Sequence, residues 1–133
     1  MSGFDYGNRE LMSDQIATVT AIYEAFARRD VEAALRHCAP DVVLVPSGTN
    51  EVIGRTEPYV GHAGVREYFA DAEKVWSELT LHAEDIRAAA AGVVVFGRAE
   101  GRAGDEAVQT RVMWTWVVRD GLAVSMRVSL LPA

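Results

Sequence analysis

Two short strings hold the side chains best suited to moving a proton. In YVGHAGVREYF, residues 59–69, a glycine–x–x–glycine step places His62 at the start of an amphipathic run. In GRAEGR, residues 97–102, Arg98 and Glu100 stand two apart, and on an extended chain that spacing puts both on one face. Imidazole is the side chain whose ordinary pKa lies nearest neutrality. A desolvated arginine and glutamate must pair, which sets one polar patch in an otherwise apolar wall. Glu100 and His62 are therefore the catalytic candidates.

Each also has a plainer reading. Gly61 is placed to cap a helix whose first residue is His62. The partial positive charge at a helix N-terminus disfavours imidazolium, yet a neutral ring still polarises a carbonyl or accepts a proton. His62 thus reads as a helix-start residue beside a pocket rim. Arg98 and Glu100 are in phase with Val94 and Phe96, whereas Val93, Val95, Gly97 and Ala99 make the opposite phase. The bulk of Phe96 favours the first set as the inward one. The second, smaller set stands as the alternative, lying beneath the helices. His37 and His82 sit in polar company and are expected to be exposed.

Aromatic side chains supply a second kind of chemistry, the holding of a ring. Trp114 and Trp116 share one face of an extended segment, where large aromatics fill a core or line a pocket wall. With Tyr23, Phe26, Tyr59, Tyr68, Trp76, Phe96, Arg98 and Met126 they form the candidate ligand-binding set. No His, Asp and Glu residues have metal-ligand spacing, and no metal or other cofactor is expected. Cys38 is the lone cysteine, so neither an internal disulfide nor a cysteine-rich metal site can form. Placed in the apolar phase of a short helix, it reads as a buried, inert thiol. The glycines of GRAEGRAG flank a β-turn, not the strand-to-helix step of a phosphate loop.

These residues need elements to position them. Ile16, Val19, Tyr23 and Phe26 recur at helical spacing, with Ser13 or Asp14 as the N-cap and residues 1–13 before it as a flexible arm. Asp30 caps a second, shorter helix, VEAALRHC, that Pro40 stops. DVVLV, 41–45, is a β-branched strand ended by Pro46. A long connection over 46–61 leads to a third helix marked by Val65, Tyr68, Phe69, Ala72, Val75 and Trp76. Thereafter the period changes to two, giving four strands joined by tight turns. Helices followed by consecutive antiparallel strands mean an α+β fold with helices on one face of a sheet. Residues 14–133 form a single domain.

Composition narrows the partners. A net charge of −6 over 133 residues, with Lys74 the only lysine, argues against nucleic acid, whose binding depends on clustered cations. No apolar stretch reaches the roughly 18–20 residues of a membrane helix. The first residues lack a basic-then-apolar leader pattern, so a cytoplasmic protein is expected. The outward strand face is polar but carries Met113, Val117 and Leu131, which suits a half-buried association surface. A homodimer through that face is expected, with Arg127 as an interface or surface ion-pair residue.

The order of elements and three strings agree with one family. IYEAFARRDVEAALRHCAPDVVL resembles the opening helical pair and first strand of the SnoaL-like, NTF2-like superfamily, which includes ketosteroid isomerases and polyketide cyclases. YVGHAGVREYF is similar to its third-helix start, and WVVRDGLAVSMRVSL to its closing hairpin. The similarity covers nearly the whole chain after residue 13. It implies an NTF2-like cone of order α-α-β-α-β-β-β-β. Three N-terminal helices pack on a strongly curved antiparallel sheet around an apolar pocket, usually in a homodimer.

The isomerases of this superfamily use a carboxylate base after the first strand, with a tyrosine and a protonated aspartic acid as oxyanion hole. Matching the strings residue by residue sets Pro46 at the base, Trp114 near the aspartic acid and Ile22 at the tyrosine. Tyr23 is one step away, about 100° round a helix. Proline transfers no proton, and an indole N–H donates a hydrogen bond without being an acid. The cyclases' inward aspartate has no counterpart on the apolar strand face. A second hydrolytic carboxylate has none either, since Glu51 and Glu57 reach the mouth only by folding the long loop over it. The resemblance therefore implies a small hydrophobic-molecule pocket protein without the usual isomerase acid and base, a non-catalytic ligand-binding or accessory protein. The alternative is an isomerase, cyclase or epoxide-hydrolase-type enzyme. It would act on a polyketide- or steroid-like substrate, with Glu100 or His62 moving the proton and the tryptophans clamping a ring.

Overall fold

A computed structural model of the chain describes residues 2–47, 54–75, 77–89 and 92–131. Trp76 and Glu51 lie outside the described residues, so the ligand-binding role expected of Trp76 has no structural counterpart here.

The first helix, α1 (Ser2–Ala27), starts eleven or twelve residues before the expected cap. The stretch expected as an arm is helical, and Arg9, Glu10, Leu11 and Met12 within it are strong helix formers. Ser13 and Asp14 are interior: the Thr18 hydroxyl donates back to the Asp14 carbonyl at 3.0 Å, a bond within the helix body. The helix ends in a Schellman turn. Asp30 N–H donates to Ala25 O and Arg29 N–H to Phe26 O, both at 2.9 Å, with Arg29 in the left-handed region at φ 55°. Asp30 then caps α2 (Val31–Leu35) by accepting from Ala33 N–H at 3.1 Å, as its position predicts.

The second helix is shorter than expected, and Cys38 belongs to β1 (Cys38–Val45). Pro40 contributes, because it has no N–H for the Arg36 carbonyl and its ring pushes Ala39 from helical toward extended backbone. Cys38 is nonetheless buried. A two-residue strand, β2 (Tyr59–Val60), precedes α3 (Gly61–Val75) and pairs antiparallel with β1. The long connection thus contributes a strand that periodicity is too short to reveal. Four long strands complete the chain: β3 (Ser77–Ala89), β4 (Gly92–Ala103), β5 (Glu106–Arg119) and β6 (Leu122–Leu130).

All six strands join one sheet in the order β2-β1-β6-β5-β4-β3. The expected sheet was antiparallel throughout. It is mixed instead, because β6 returns alongside β1 in the same direction, pairing Leu44 with Met126. Register shifts between Ala83 and Asp85 and between Val117 and Val118 bend the long strands, as extra residues in one strand of a pair do. At the first of these, Gly97 faces Ala83, and a Cβ on Gly97 would stand 1.8 Å from the His82 carbonyl oxygen. Only glycine permits that approach.

Both α1 and α3 lie on the concave side of the sheet. Val19, Val42, Tyr59, Val93, Val95 and Val112 are almost wholly removed from water there, within one continuous core. Among the described residues no helix is long and apolar enough to cross a membrane.

Candidate functional site

The inward face of the sheet follows from cross-strand register. On β5 the inward residues are Val112, Trp114, Trp116 and Val118, as the period predicts. Val95 pairs with Trp114 and Val93 with Trp116, so small β-branched residues stand beside large indoles. The two valines are 0% exposed, whereas Phe96 is 36% exposed. A helix lying close over β4 has room for valine between the indoles and none for phenylalanine. The phase expected to point inward is therefore the outward one.

This corrects three candidates together. Phe96, Arg98 and Glu100 lie on the convex face, away from the cone. Arg98 and Glu100 do pair, with Arg98 Nη1 donating to Glu100 Oε1 at 2.7 Å, but at the surface. Arg98 Nε also donates to Glu84 Oε2 at 2.9 Å, and His82 Nε2 stands 3.0 Å from Glu100 Oε1. Glu84 and Glu100 raise the Arg98 pKa further by accepting its hydrogen bonds and by their charge. His82 is half-buried in this network instead of exposed.

His62 is placed as its plainer reading has it. Gly61, at φ +73°, turns the chain into α3, and His62 Nε2 lies 3.0 Å from the Cys38 carbonyl oxygen. With Nε2–H as donor, the ring ties the start of α3 to the start of β1.

Six ligand-binding candidates converge. Tyr23 and Phe26 from α1, Tyr68 from α3, Trp114 and Trp116 from β5 and Met126 from β6 border one apolar cavity. Trp116 Nε1–H donates to the Tyr23 hydroxyl at 3.2 Å. The Tyr23 ring stands edge-on to both indoles, with centroids 5.4 Å and 5.8 Å away. Ile22 and Tyr23 both reach the cavity, since a space wider than one helix face touches consecutive positions.

Sequence reasoning missed other walls, among them Phe69, Val65, Leu44, Leu81 and Cys38. For Val65 and Phe69 the signal was present, in the apolar stripe of the third helix. For Leu81 it was present too, since Leu79, Leu81 and Ala83 alternate with Glu78, Thr80, His82 and Glu84.

Tyr59 is fully buried yet stands behind the cavity wall. Its hydroxyl donates to Asp71 Oδ2 at 2.9 Å, and its ring packs edge-on to Tyr68. The Arg55 guanidinium covers the other side of the ring at 3.8 Å. Tyr59 thus braces Tyr68 and α3 instead of touching a ligand.

Burial keeps the cavity groups uncharged. It raises the Tyr23 pKa well above its ordinary value, with the Trp116 hydrogen bond only partly opposing. Burial alone pushes the Cys38 thiol up to about 11, so the poorly nucleophilic protonated form persists at neutral pH. Burial and the Asp71 carboxylate likewise raise Tyr59. Among the described residues no three His, Cys, Asp or Glu side chains converge to hold a metal ion.

The cavity is small, about 40 Å³, against the roughly 150 Å³ of an apolar cavity that takes up benzene. Against it, between the end of α1, α3 and the start of β3, lies a larger cleft of about 230 Å³. Phe26 and Phe69 border both spaces.

Comparison with known proteins matches this architecture. A family model described as the SnoaL-like domain matches residues 19–126. No curated protein sequence matches the chain. Among solved structures, the chain resembles an NTF2-like protein of unknown function from Burkholderia pseudomallei. That likeness has 25% identity and a TM-score of 0.80, over 90% of this chain and 92% of the other. It also resembles TerC, co-crystallised with polyporic acid, at 28% identity and a TM-score of 0.77, over 89% and 92%. A polyketide cyclase-like protein from Xanthomonas campestris shares the fold at 19% identity and a TM-score of 0.73, over 88% and 90%.

Proposed function

The chain belongs to the SnoaL-like domain family, and from that premise we propose that it binds a small, ring-bearing hydrophobic molecule inside the cone without transforming it. The observation that carries this reading is the Trp116–Tyr23 hydrogen bond within an aromatic cavity. Accepting the indole N–H uses one lone pair of the Tyr23 oxygen and leaves its own hydrogen to donate to a ligand carbonyl. Tyr23 and Cys38 are both held neutral by burial, so they orient and polarise a bound carbonyl without acting as the anionic base that would take a proton from the carbon beside it. The similarity to TerC, co-crystallised with polyporic acid, supports a cone that holds a small molecule.

The test is a titration of cyclic ketones and other ring-bearing carbonyl compounds, read by intrinsic tryptophan fluorescence. Wild type is expected to bind members of the panel, and Tyr23→Phe to bind them about tenfold more weakly, the worth of one net hydrogen bond. Conversion of a bound compound to product would overturn the non-catalytic reading in favour of an isomerase, cyclase or hydrolase.

We also propose that a second copy of the chain covers the convex face. Phe96 pairs in register with Met113, and Met113 with Ser129, giving an apolar centre. On the β3–β4 side Glu84, Asp85 and Glu100 outnumber Arg87 and Arg98, while β5 and β6 present Arg111 and Arg127. A two-fold axis through the centre lays each acidic half against the basic half of the other copy, as an isologous interface requires.

A further inference from the structure

We propose that the outer cleft and the inner cavity are two halves of one binding site, with the Phe69 side chain as the gate between them. The proposal rests on the cavity reading above. Phe26 and Phe69 border both spaces, edge-on with centroids 5.2 Å apart. Together they form the partition.

The two rings are held differently. Phe26 is 7% exposed, and the Arg29 guanidinium sits over its ring at 4.6 Å. Arg29 Nη1 also donates to the Phe26 carbonyl at 2.9 Å, and Nη2 donates to the Leu79 carbonyl. One side chain thereby ties the end of α1 to the start of β3 and fixes Phe26 as the rigid side of the partition. Arg29 and Glu78, both on the cleft, occupy the left-handed region at φ 55° and 59°. Backbone held there at a cost is characteristic of sites where geometry is imposed by surroundings. Phe69 has no such clamp. It is half-buried, packs on Ala25, Ala33 and Ala34, and meets the rings of Phe26 and Tyr68 edge-on, with no cation over its ring among the described residues. Rotation about its side-chain torsions is a nanosecond-class motion where space adjoins, and the cleft supplies that space.

Opening this partition resolves the size conflict. The inner cavity of about 40 Å³ holds no ring, but joined to a cleft of about 230 Å³ it approaches the roughly 300 Å³ at which small-molecule sites begin. The joined site also specifies a ligand class. Its inner end is aromatic-walled, with Tyr23 to meet a hydrogen-bond acceptor. At its outer end two of the five Arg29 N–H donors are turned to backbone carbonyls, and the Glu73 and Glu78 carboxylates supply acceptors. A flat cyclic molecule with a hydroxyl or amino group at the outer end fits both.

The experiment uses 1-aminoanthracene, whose three rings exceed the inner cavity and whose amine suits the outer carboxylates. Its fluorescence is followed by stopped flow with the full chain. Phe69→Ala is expected to speed association about tenfold and Phe69→Leu to do so less, because a required rearrangement is what lowers an on-rate. Glu73→Trp, at an exposed position beside the cleft, is expected to slow it severalfold with the inner cavity untouched. Circular dichroism verifies each fold, and Phe69→Leu carries the test if Phe69→Ala is unfolded. Binding with equal on-rates in all four proteins would overturn the gate and leave the cavity reading standing. No binding by folded wild type or by either folded Phe69 variant would overturn both.

Discussion

The Trp116 indole nitrogen and the Tyr23 hydroxyl lie 3.2 Å apart and bridge β5 to α1 across the apolar cavity. Removing the oxygen with Tyr23→Phe strands a buried N–H donor, which costs about 1–3 kcal/mol. Urea denaturation is expected to show that loss. The same variant should bind ring compounds lacking a carbonyl as well as wild type does, since only the hydrogen-bonding group has changed.

Stability should fall in alkaline solution. The Cys38 thiol is raised from 9.0 to about 11 by burial, so between those values the unfolded chain has released a proton that the folded chain keeps. Its contribution is fully present below pH 9 and is lost as pH rises toward 11. Raised Tyr23 and Tyr59 act in the same direction above pH 10, their ordinary value. Denaturant midpoints measured from pH 8 to 11 should decline, and Cys38→Ala should flatten the slope between 9 and 11. A wild-type midpoint that stays level would contradict the burial of these groups.

Gly97→Ala should be among the most damaging single-methyl additions in the chain. The added carbon would meet the His82 carbonyl oxygen at 1.8 Å, and backbone on both sides must give way. A loss of about 3 kcal/mol is expected, at the upper end for overfilling a well-packed interior. Thermal unfolding of the two proteins settles it.

Glu100→Gln should leave ligand affinity unchanged. Its carboxylate pairs with Arg98 and His82 at the surface, where ion pairs contribute little to stability. A large loss of binding would return Glu100 to the site.

Sedimentation equilibrium should give twice the mass of one chain. Replacing Phe96 and Met113 by glutamate places like charges at the centre of the convex face and should yield monomers. A monomeric wild type at tens of micromolar would remove the proposed homodimer.

Much of the cone was legible in local pattern. Helical spacing of Val19, Tyr23 and Phe26, the stripe of Val65, Tyr68 and Phe69, and period two at Trp114 and Trp116 each name a face, because a face is a consequence of backbone repeat. Such reasoning selected six of the side chains that meet in the cavity. It could not orient β4, since VVVFGRAEGR is apolar at its start in both phases and Phe96 outweighs valine by bulk alone.

What the sequence determined by itself was therefore the set of faces and their order, which repeat and spacing encode within a few residues. Tertiary structure decided three matters that depend on distant partners. Register against Trp114 and Trp116 turned Val93 and Val95 inward and sent Arg98 and Glu100 to the surface. The parallel return of β6 beside β1 joined β1 and β2 to the other four strands in one sheet. Side chains from α1, α3, β5 and β6 together set the cavity at about 40 Å³ with a larger cleft beside it. A volume is the remainder left when many side chains share a space, and no single segment carries it.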